Sequence, residues 1–207
     1  MSDFATFVLS QLPPPPGRVL EIGCGDAGGV VPALLDAGYD ALGVDPRAPE
    51  GEHFRRIDFR CLAPRSGARH RCQDEFDAVV AGRVLHHVRP LDEGLDRVAA
   101  LAPLLVVDEF AWDLIDAAAQ EWYESRHREL VEAGAEPYGP PSLDEWRLRH
   151  PDLHPHAVLL EGLRARYRER TLEWRPYFYR WLQDPASEAL ERSLPLPSIG
   201  WRWAGVR

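Results

Sequence analysis

One short stretch limits what this chain can become: Val19-Leu20-Glu21-Ile22-Gly23-Cys24-Gly25-Asp26-Ala27-Gly28. The residues from Arg18 to Ile22 read as a buried strand that runs into a glycine-rich turn. Beyond the turn, Val30, Val31, Leu34 and Leu35 form the apolar stripe of a helix over roughly 28–37. Glycines in such a turn let the backbone approach a ligand with no Cβ in the way. The start of the helix adds unpaired N–H groups and a positive dipole end. A strand, a glycine turn and a helix in that order make a site for a nucleotide-type cofactor.

The rest of the chain repeats the alternation. Ala41 to Val44 reads as a second strand, with Asp45 and Pro46 at its end, and Phe54 to Asp58 as a weaker third. Phe76 to Ala81 is a clear fourth strand, and Leu104 to Asp108 a fifth. Leu91, Leu95, Val98 and Ala102 mark a helix between them. Val- and Leu-rich strands alternating with helices predict a parallel sheet covered on both faces. After residue 110 the character changes. A long helix is predicted over 112–133, and Ser142-Leu143-Asp144-Glu145 opens another as a capping box. A further helix follows over about 156–167, then an alternating strand at 172–176. Asp184 and Pro185 open a last helix, and Trp201 to Val206 form a second alternating strand.

Gly23, Gly25 and Gly28 satisfy G-x-G-x-x-G, and Asp45 lies 20 residues after Gly25, where an acid can bond ribose hydroxyls. A nicotinamide dinucleotide is therefore one reading. Glu21 argues against it. A dinucleotide brings a pyrophosphate to this turn, where a carboxylate repels it; a cofactor that carries an ammonium is attracted instead. Asp58 and Phe59 offer an amino-group acceptor and an apolar wall for an adenine. The fourth strand leads into Gly82-Arg83-Val84-Leu85-His86-His87-Val88.

On these residues the chain resembles the class I S-adenosylmethionine-dependent methyltransferases, closest to the small-molecule group with a Leu-His-His step after the fourth strand. The resemblance covers roughly residues 17 to 110, and more weakly the C-terminal strands. It implies a Rossmann-like α/β fold, a seven-stranded sheet with the last strand antiparallel and a helical cap insertion. It divides the chain into a cofactor-binding core (1–110), a helical substrate cap (111–170) and C-terminal strands completing the sheet (171–207). It also implies roles: Glu21 acts on the methionine amino group, and Gly23, Cys24 and Gly25 line the methionine part. Asp45, with Pro46 beside it, holds the ribose diol; Asp58 and Phe59 meet the adenine; Gly82 and Arg83 pass beneath the cofactor. Many members carry glycine two residues after Gly25, where this chain has Ala27.

The expected activity is methyl transfer from S-adenosylmethionine to a small molecule, on O, N or C, leaving S-adenosylhomocysteine. Such a transfer is an in-line displacement that needs alignment above all, and no metal. A general base belongs beyond the carboxyl ends of the strands. His86 and His87 are the candidate catalytic residues there, with Asp108 and Glu109 nearby in the pattern. Arg83 is also a candidate for a carboxylate or phosphate. Two other readings remain at this stage: an NAD(P)-dependent oxidoreductase, and a non-catalytic S-adenosylmethionine-binding partner protein.

Composition narrows the field further. All 24 basic residues are arginine, so lysine Schiff-base chemistry is excluded, and there is no asparagine for an Asn-Pro-Pro-Tyr site. A net charge of −9 weighs against a nucleic-acid partner. Cys24, Cys61 and Cys72 suggest no disulfide framework. Neither Cys61-His70-Cys72 nor the His150–His156 loop has the spacing of an established metal site. With no signal peptide and no apolar run long enough to cross a membrane, a soluble cytoplasmic protein is expected. Trp112, Trp122, Trp146, Tyr123 and Tyr138 read either as core or as walls of an aromatic pocket.

Overall fold

The computed structural model describes residues 2–62 and 76–207. Helix α1 (Asp3–Gln11) starts at Ser2, whose Oγ accepts from the Ala5 N–H at 3.1 Å. Strands β1 (Arg18–Ile22), β2 (Asp40–Val44), β3 (Phe54–Arg55), β4 (Ala78–Gly82), β5 (Leu104–Phe110), β6 (Arg168–Arg175) and β7 (Gly200–Val206) form one sheet in the order β3-β2-β1-β4-β5-β7-β6. The pairings from β3 through β5 are parallel, with Ile22 beside Val44 on one side and Ala81 on the other. Strand β7 runs against β5: the Ala111 N–H donates to the Ile199 carbonyl at one end, and the Arg207 N–H to the Pro103 carbonyl at the other. The last strand is therefore antiparallel, as expected.

The central strands are buried along their length because helices cover both faces. Every residue of β5 is buried, and so are Val19 to Ile22 of β1. The helices include α2 (Val31–Asp36) and α3 (Leu91–Leu101), the latter burying Leu95, Val98 and Leu101. Each fully buried Leu or Val contributes roughly 1.5–3 kcal/mol over leaving it in water.

The chain divides into two compact units. One comprises Met1–Glu109, Ala157–Leu172 and Arg202–Arg207; the other comprises Phe110–His156 and Glu173–Trp201. The first unit is centred on Val8, Val19, Val31, Leu34, Ala78, Val80 and Val106. The second contains α4 (Ala117–Glu132), α5 (Leu143–Arg149), α7 (Phe178–Leu182) and α8 (Pro185–Ser193); α6 (His156–Arg164) follows its first segment. Its core is aromatic. Phe110 stacks on Tyr177 at 4.7 Å, Tyr123 on Phe178 at 5.0 Å, and Trp181 sits edge-on to Phe110, Tyr123 and Tyr177. Glu191 supports this core by accepting from the Tyr177 N–H at 2.7 Å, at the start of α7.

Several boundaries differ from the pattern. The helix predicted from residue 112 breaks: Trp112–Leu114 is a 3-10 turn, and α4 begins behind Asp116, whose carboxylate caps the Ala119 N–H at 2.8 Å. The helix after the glycine turn begins at Val31 rather than 28, because Gly28 and Gly29 both adopt positive φ. Strand β3 is only two residues long, and Asp58 caps a 3-10 turn (Phe59–Cys61) instead of ending a strand. Helix α7 has no counterpart in the expected pattern. Ser142 and Asp184 both act as N-caps: Ser142 Oγ accepts from the Glu145 N–H at 3.4 Å, the first half of the expected capping box, and Asp184 Oδ1 accepts from the Ala186 N–H at 3.2 Å.

Candidate functional site

The site is assembled within the first unit, where β1, β2, β4 and β5 end. The turn after β1 is pinned by the Gly23 N–H, which donates to the Val44 carbonyl at 2.8 Å. Gly23 faces the side chain of Val84, which would lie 2.7 Å from a Cβ added there, so a larger residue has no room. Space over Gly25 is open: an added Cβ would meet nothing within 4 Å. Ala27 does not adopt a positive φ, so its methyl costs the turn no backbone strain.

Glu21 is the organising residue. It is buried, and its Oε2 accepts from the Val30 N–H at 2.7 Å and the Val31 N–H at 3.2 Å. These are N–H groups at the start of α2 that an anion would otherwise take. Burial pushes the Glu21 carboxyl up to about 7, against the pull of those two hydrogen bonds and the positive charge of Arg83. Cys24, buried between two acids, has its thiol pushed up to about 12 by burial and by the charges of Glu21 and Asp45. It is thus a poor nucleophile at neutral pH.

Asp45 follows directly on β2. Its Oδ1 accepts from the Arg47 N–H at 2.7 Å, and Oδ2 has no hydrogen-bond partner among the described residues. Pro46 beside it is exposed. Asp58 is held in a fork by Arg60, with Nε 2.9 Å from Oδ1 and Nη2 2.5 Å from Oδ2. That hydrogen bonding holds the Asp58 carboxyl below the usual carboxylate range. Phe59 is buried and lies close to Gly94.

The segment after β4 folds back over the glycine turn. Gly82 lies beside the ring of Phe4 from α1, 3.1 Å from an added Cβ. Arg83 has φ 55°, uncommon for a residue with a side chain, and its N–H donates to the Asp108 carbonyl at 2.7 Å. The 3-10 turn Leu85–His87 then separates the two histidines. His86 is buried with Nδ1 2.6 Å from Oε2 of Glu109, itself fully buried. The other oxygen of Glu109 accepts from the Leu85 N–H at 2.7 Å. His87 is exposed and its ring lies 4.1 Å from that of His86.

Asp108 is turned to a structural task. Its Oδ1 accepts from Nε of buried Arg202 at 3.0 Å, and Arg202 also holds Asp3 at the start of α1. Neither Glu109 as the partner of His86 nor Arg202 as the partner of Asp108 carried a sequence signal. The partners are separated by 23 and 94 residues respectively.

His150, His156, Tyr123 and Tyr138, also expected candidates, belong to the second unit. The loop histidines have local partners: His150 Nδ1 lies 2.8 Å from the Trp146 carbonyl, and His156 Nδ1 lies 2.8 Å from Asp113. Among the described residues no group of three His, Cys, Asp or Glu is placed to hold a metal ion. His70 and Cys72 lie outside the described residues. Tyr123 is core, bonding the Pro140 carbonyl at 2.7 Å, whereas Tyr138 is 77% exposed.

A family model described as a methyltransferase domain matches residues 2–175. Solved structures share the fold. An S-adenosylmethionine-dependent methyltransferase from Mesorhizobium loti has a TM-score of 0.59 at 19% identity, covering 98% of this chain and 96% of its own. A methyltransferase from an antibiotic biosynthesis pathway of Anabaena variabilis, itself assigned provisionally, reaches 0.61 at 14% identity, with 98% and 96% covered. The magnesium protoporphyrin IX methyltransferase of Synechocystis, solved with bound S-adenosylmethionine, reaches 0.52 at 15% identity, with 98% and 76% covered. No curated protein matches the sequence. The seven-stranded order with its antiparallel last strand is the class I methyltransferase fold, and a family match spanning most of its length shows that the chain belongs to the methyltransferase-domain family.

Proposed function

We propose that this protein transfers a methyl group from S-adenosylmethionine to a small-molecule acceptor. The observation that carries this reading is the Glu21 carboxylate on the first N–H groups of α2. A dinucleotide needs those donors for its pyrophosphate, and here a negative charge already occupies them. The same charge suits a cofactor with an ammonium end. Glu21 is almost fully buried, so it acts on that end by its field rather than by direct contact. The open space at Gly25 and the unpaired Oδ2 of Asp45 fit a methionine chain and a ribose diol.

When bound, S-adenosylmethionine supplies a methyl group already activated by its sulfonium. The protein then has two tasks: to align the acceptor with that methyl, and to take a proton where the acceptor must lose one. Gly23, Cys24 and Gly25 line the methionine part; Asp45 and Pro46 flank the ribose. Asp58 offers the adenine amino group an acceptor in Oδ2, which is bonded only once to Arg60 whereas Oδ1 accepts twice, and buried Phe59 provides an apolar wall. Gly82 and Arg83 pass beneath the cofactor. Of the two histidines, His87 is the one exposed to an acceptor, and His86, fixed by Glu109, supports it from below. The acceptor is chosen by the segment 111–170. The excess of acidic groups favours a small molecule over a nucleic acid, and the absence among the described residues of a helix able to cross a membrane accords with a cytoplasmic enzyme.

Thermal unfolding with ligand tests the reading. A ligand present at 100 times its Kd stabilises the fold by about 2.7 kcal/mol. S-adenosylhomocysteine is expected to raise the Tm of the wild type by several degrees, and Asp45→Ala to lose most of that rise. An unchanged Tm in the wild type overturns the assignment; an unchanged rise in the variant removes Asp45 from the site.

A further inference from the structure

We propose that the outer edge of β6 is the interface of a homodimer, in which two copies of the strand pair antiparallel about a twofold axis through Leu172. The proposal concerns a surface outside the cofactor site and does not depend on the cofactor reading.

The two edges of the sheet are unlike. Strand β3 closes one side with two residues, too few to template another strand. Strand β6 closes the other with eight, Arg168–Arg175, and no strand lies beyond it among the described residues. Its run Arg-Glu-Arg-Thr-Leu-Glu-Trp-Arg holds no proline to interrupt a ladder. Arg168, Arg170, Glu173 and Trp174 are exposed, Trp174 at 41%. An edge strand of this length presents a row of backbone donors and acceptors that a second strand can take.

Charged side chains ordinarily protect such an edge, because a second strand would bring like charges together. The order of the charges on β6 removes that protection in one register. When two copies continue one sheet about a twofold axis, opposed residues share a face, so the axis passes through a residue that meets its own counterpart. Near the middle of the strand the choices are Arg170, Thr171, Leu172 and Glu173. Centred on Arg170 or on Glu173, a charge meets itself. Centred on Thr171, Glu169 meets Glu173. Centred on Leu172, no like charges meet: Glu169 opposes Arg175, Arg170 opposes Trp174, and Thr171 opposes Glu173, each twice by symmetry. Arg170 against Trp174 sets a guanidinium on an indole, a favourable cation–π pair. Leu172 meets Leu172 between those pairs, on the same face. Glu169 Oε2 accepts from Arg164 Nε at 2.8 Å and from Trp203 Nε1 at 3.0 Å, which fixes where that carboxylate stands. Complementarity along the strand in a single register is what a self-pairing edge needs, and an edge that is only protected has no use for it.

Sedimentation equilibrium of the full chain at micromolar concentration tests the interface. Wild type is expected at twice the mass of the chain. Thr171→Glu places a second carboxylate opposite Glu173 at two symmetric positions, and self-association is expected to weaken at least about tenfold. Adding Glu173→Arg to that variant turns both repulsions into attractions, so the double variant is expected to recover the dimer. Thermal melting checks that each variant is folded. Leu172→Cys in a Cys61→Ser, Cys72→Ser background reads the register without any change of charge. Mild oxidation should join two chains through position 172, which meets its own copy, and Arg170→Cys in the same background should stay unlinked. A wild type that is monomeric at every concentration overturns the proposal and leaves the edge to a different partner. A dimer that Thr171→Glu does not loosen, a double variant that stays monomeric, or equal linking at positions 170 and 172 overturns it as well.

Discussion

At Glu21 a carboxylate has been taken out of water, and two N–H donors and one nearby guanidinium restore only part of its lost hydration. Its pKa rises from 4.5 to about 7 as a result. The sign follows from linkage. Between those two values the folded state keeps a proton that the unfolded chain has released, so stability falls as pH rises through the window. The contribution is fully present below pH 4.5 and is lost above about 7, amounting to about 3 kcal/mol. The groups acting on Glu21 are Arg83 and the amides of Val30 and Val31, with the Cys24 thiol coupled to it. Urea denaturation should show this fall in the wild type, relative to Glu21→Gln, between pH 4.5 and 7.5. Parallel curves for the two proteins would contradict it. For His87 the account predicts a different split. His87→Ala should lower kcat at least tenfold and leave S-adenosylhomocysteine affinity within about twofold, the reduction being typical of a lost general base. Once an acceptor is in hand, unchanged kcat across the pH range would assign His87 to packing.

How much of the site could be read from residues alone depends on how local each cause is. The glycines, Glu21 and Asp45 announce themselves because the turn's steric demands fall within a few positions. What was not legible is that Glu21 turns inward to cap α2. That depends on Gly28 and Gly29 both taking positive φ, which delays the helix to Val31. Equally hidden was the difference between the adjacent histidines. Leu-His-His does not say which ring is buried, because the deciding partner, Glu109, arrives on another strand.

At the scale of the element, two anchors hold the ends of the strands in place. Glu109 on β5 accepts from the Leu85 N–H and meets His86 Nδ1, tying the 3-10 turn after β4 to its neighbouring strand. Removing that acceptor leaves buried donors unpaired. Glu109→Ala should cost about 3–5 kcal/mol in urea denaturation, and Glu109→Gln markedly less, because the amide oxygen still accepts. Equal, small losses would show that the turn stands without it. The second anchor, Arg202 on β7, joins Asp108 to Asp3 and lies over Phe4 and Phe7, so that α1 is held to the sheet by charge as well as by apolar packing. Helix α4 shows where periodicity misleads. Apolar residues from Trp112 to Trp122 match one helical face, yet Asp116 caps the helix midway through that run. Asp116→Ala should cost about 1 kcal/mol, the usual worth of an N-cap.

For the whole molecule, the parallel strands and the hydrophobic runs determine the architecture early, since Val- and Leu-rich segments buried on both faces have few alternatives. The order β3-β2-β1-β4-β5-β7-β6 is a different matter. It depends on where β6 and β7 return to the sheet, information that local pattern does not hold; the family resemblance supplied the strand count and the antiparallel last strand. An acidic surface with arginine as its sole source of fixed positive charge also makes a prediction. A mobility-shift titration with tRNA at physiological salt should give no complex, and a stable complex would contradict a small-molecule acceptor. The central claim is that Glu21 reserves the β1–α2 turn for a sulfonium cofactor with an ammonium end rather than for a dinucleotide. Side-by-side calorimetric titration of the wild type with S-adenosylhomocysteine, NAD and NADP tests it most directly. The account predicts binding of S-adenosylhomocysteine with a Kd on the order of micromolar, about −8 kcal/mol, and no heat from either dinucleotide. Binding of NAD or NADP without a response to S-adenosylhomocysteine would contradict it.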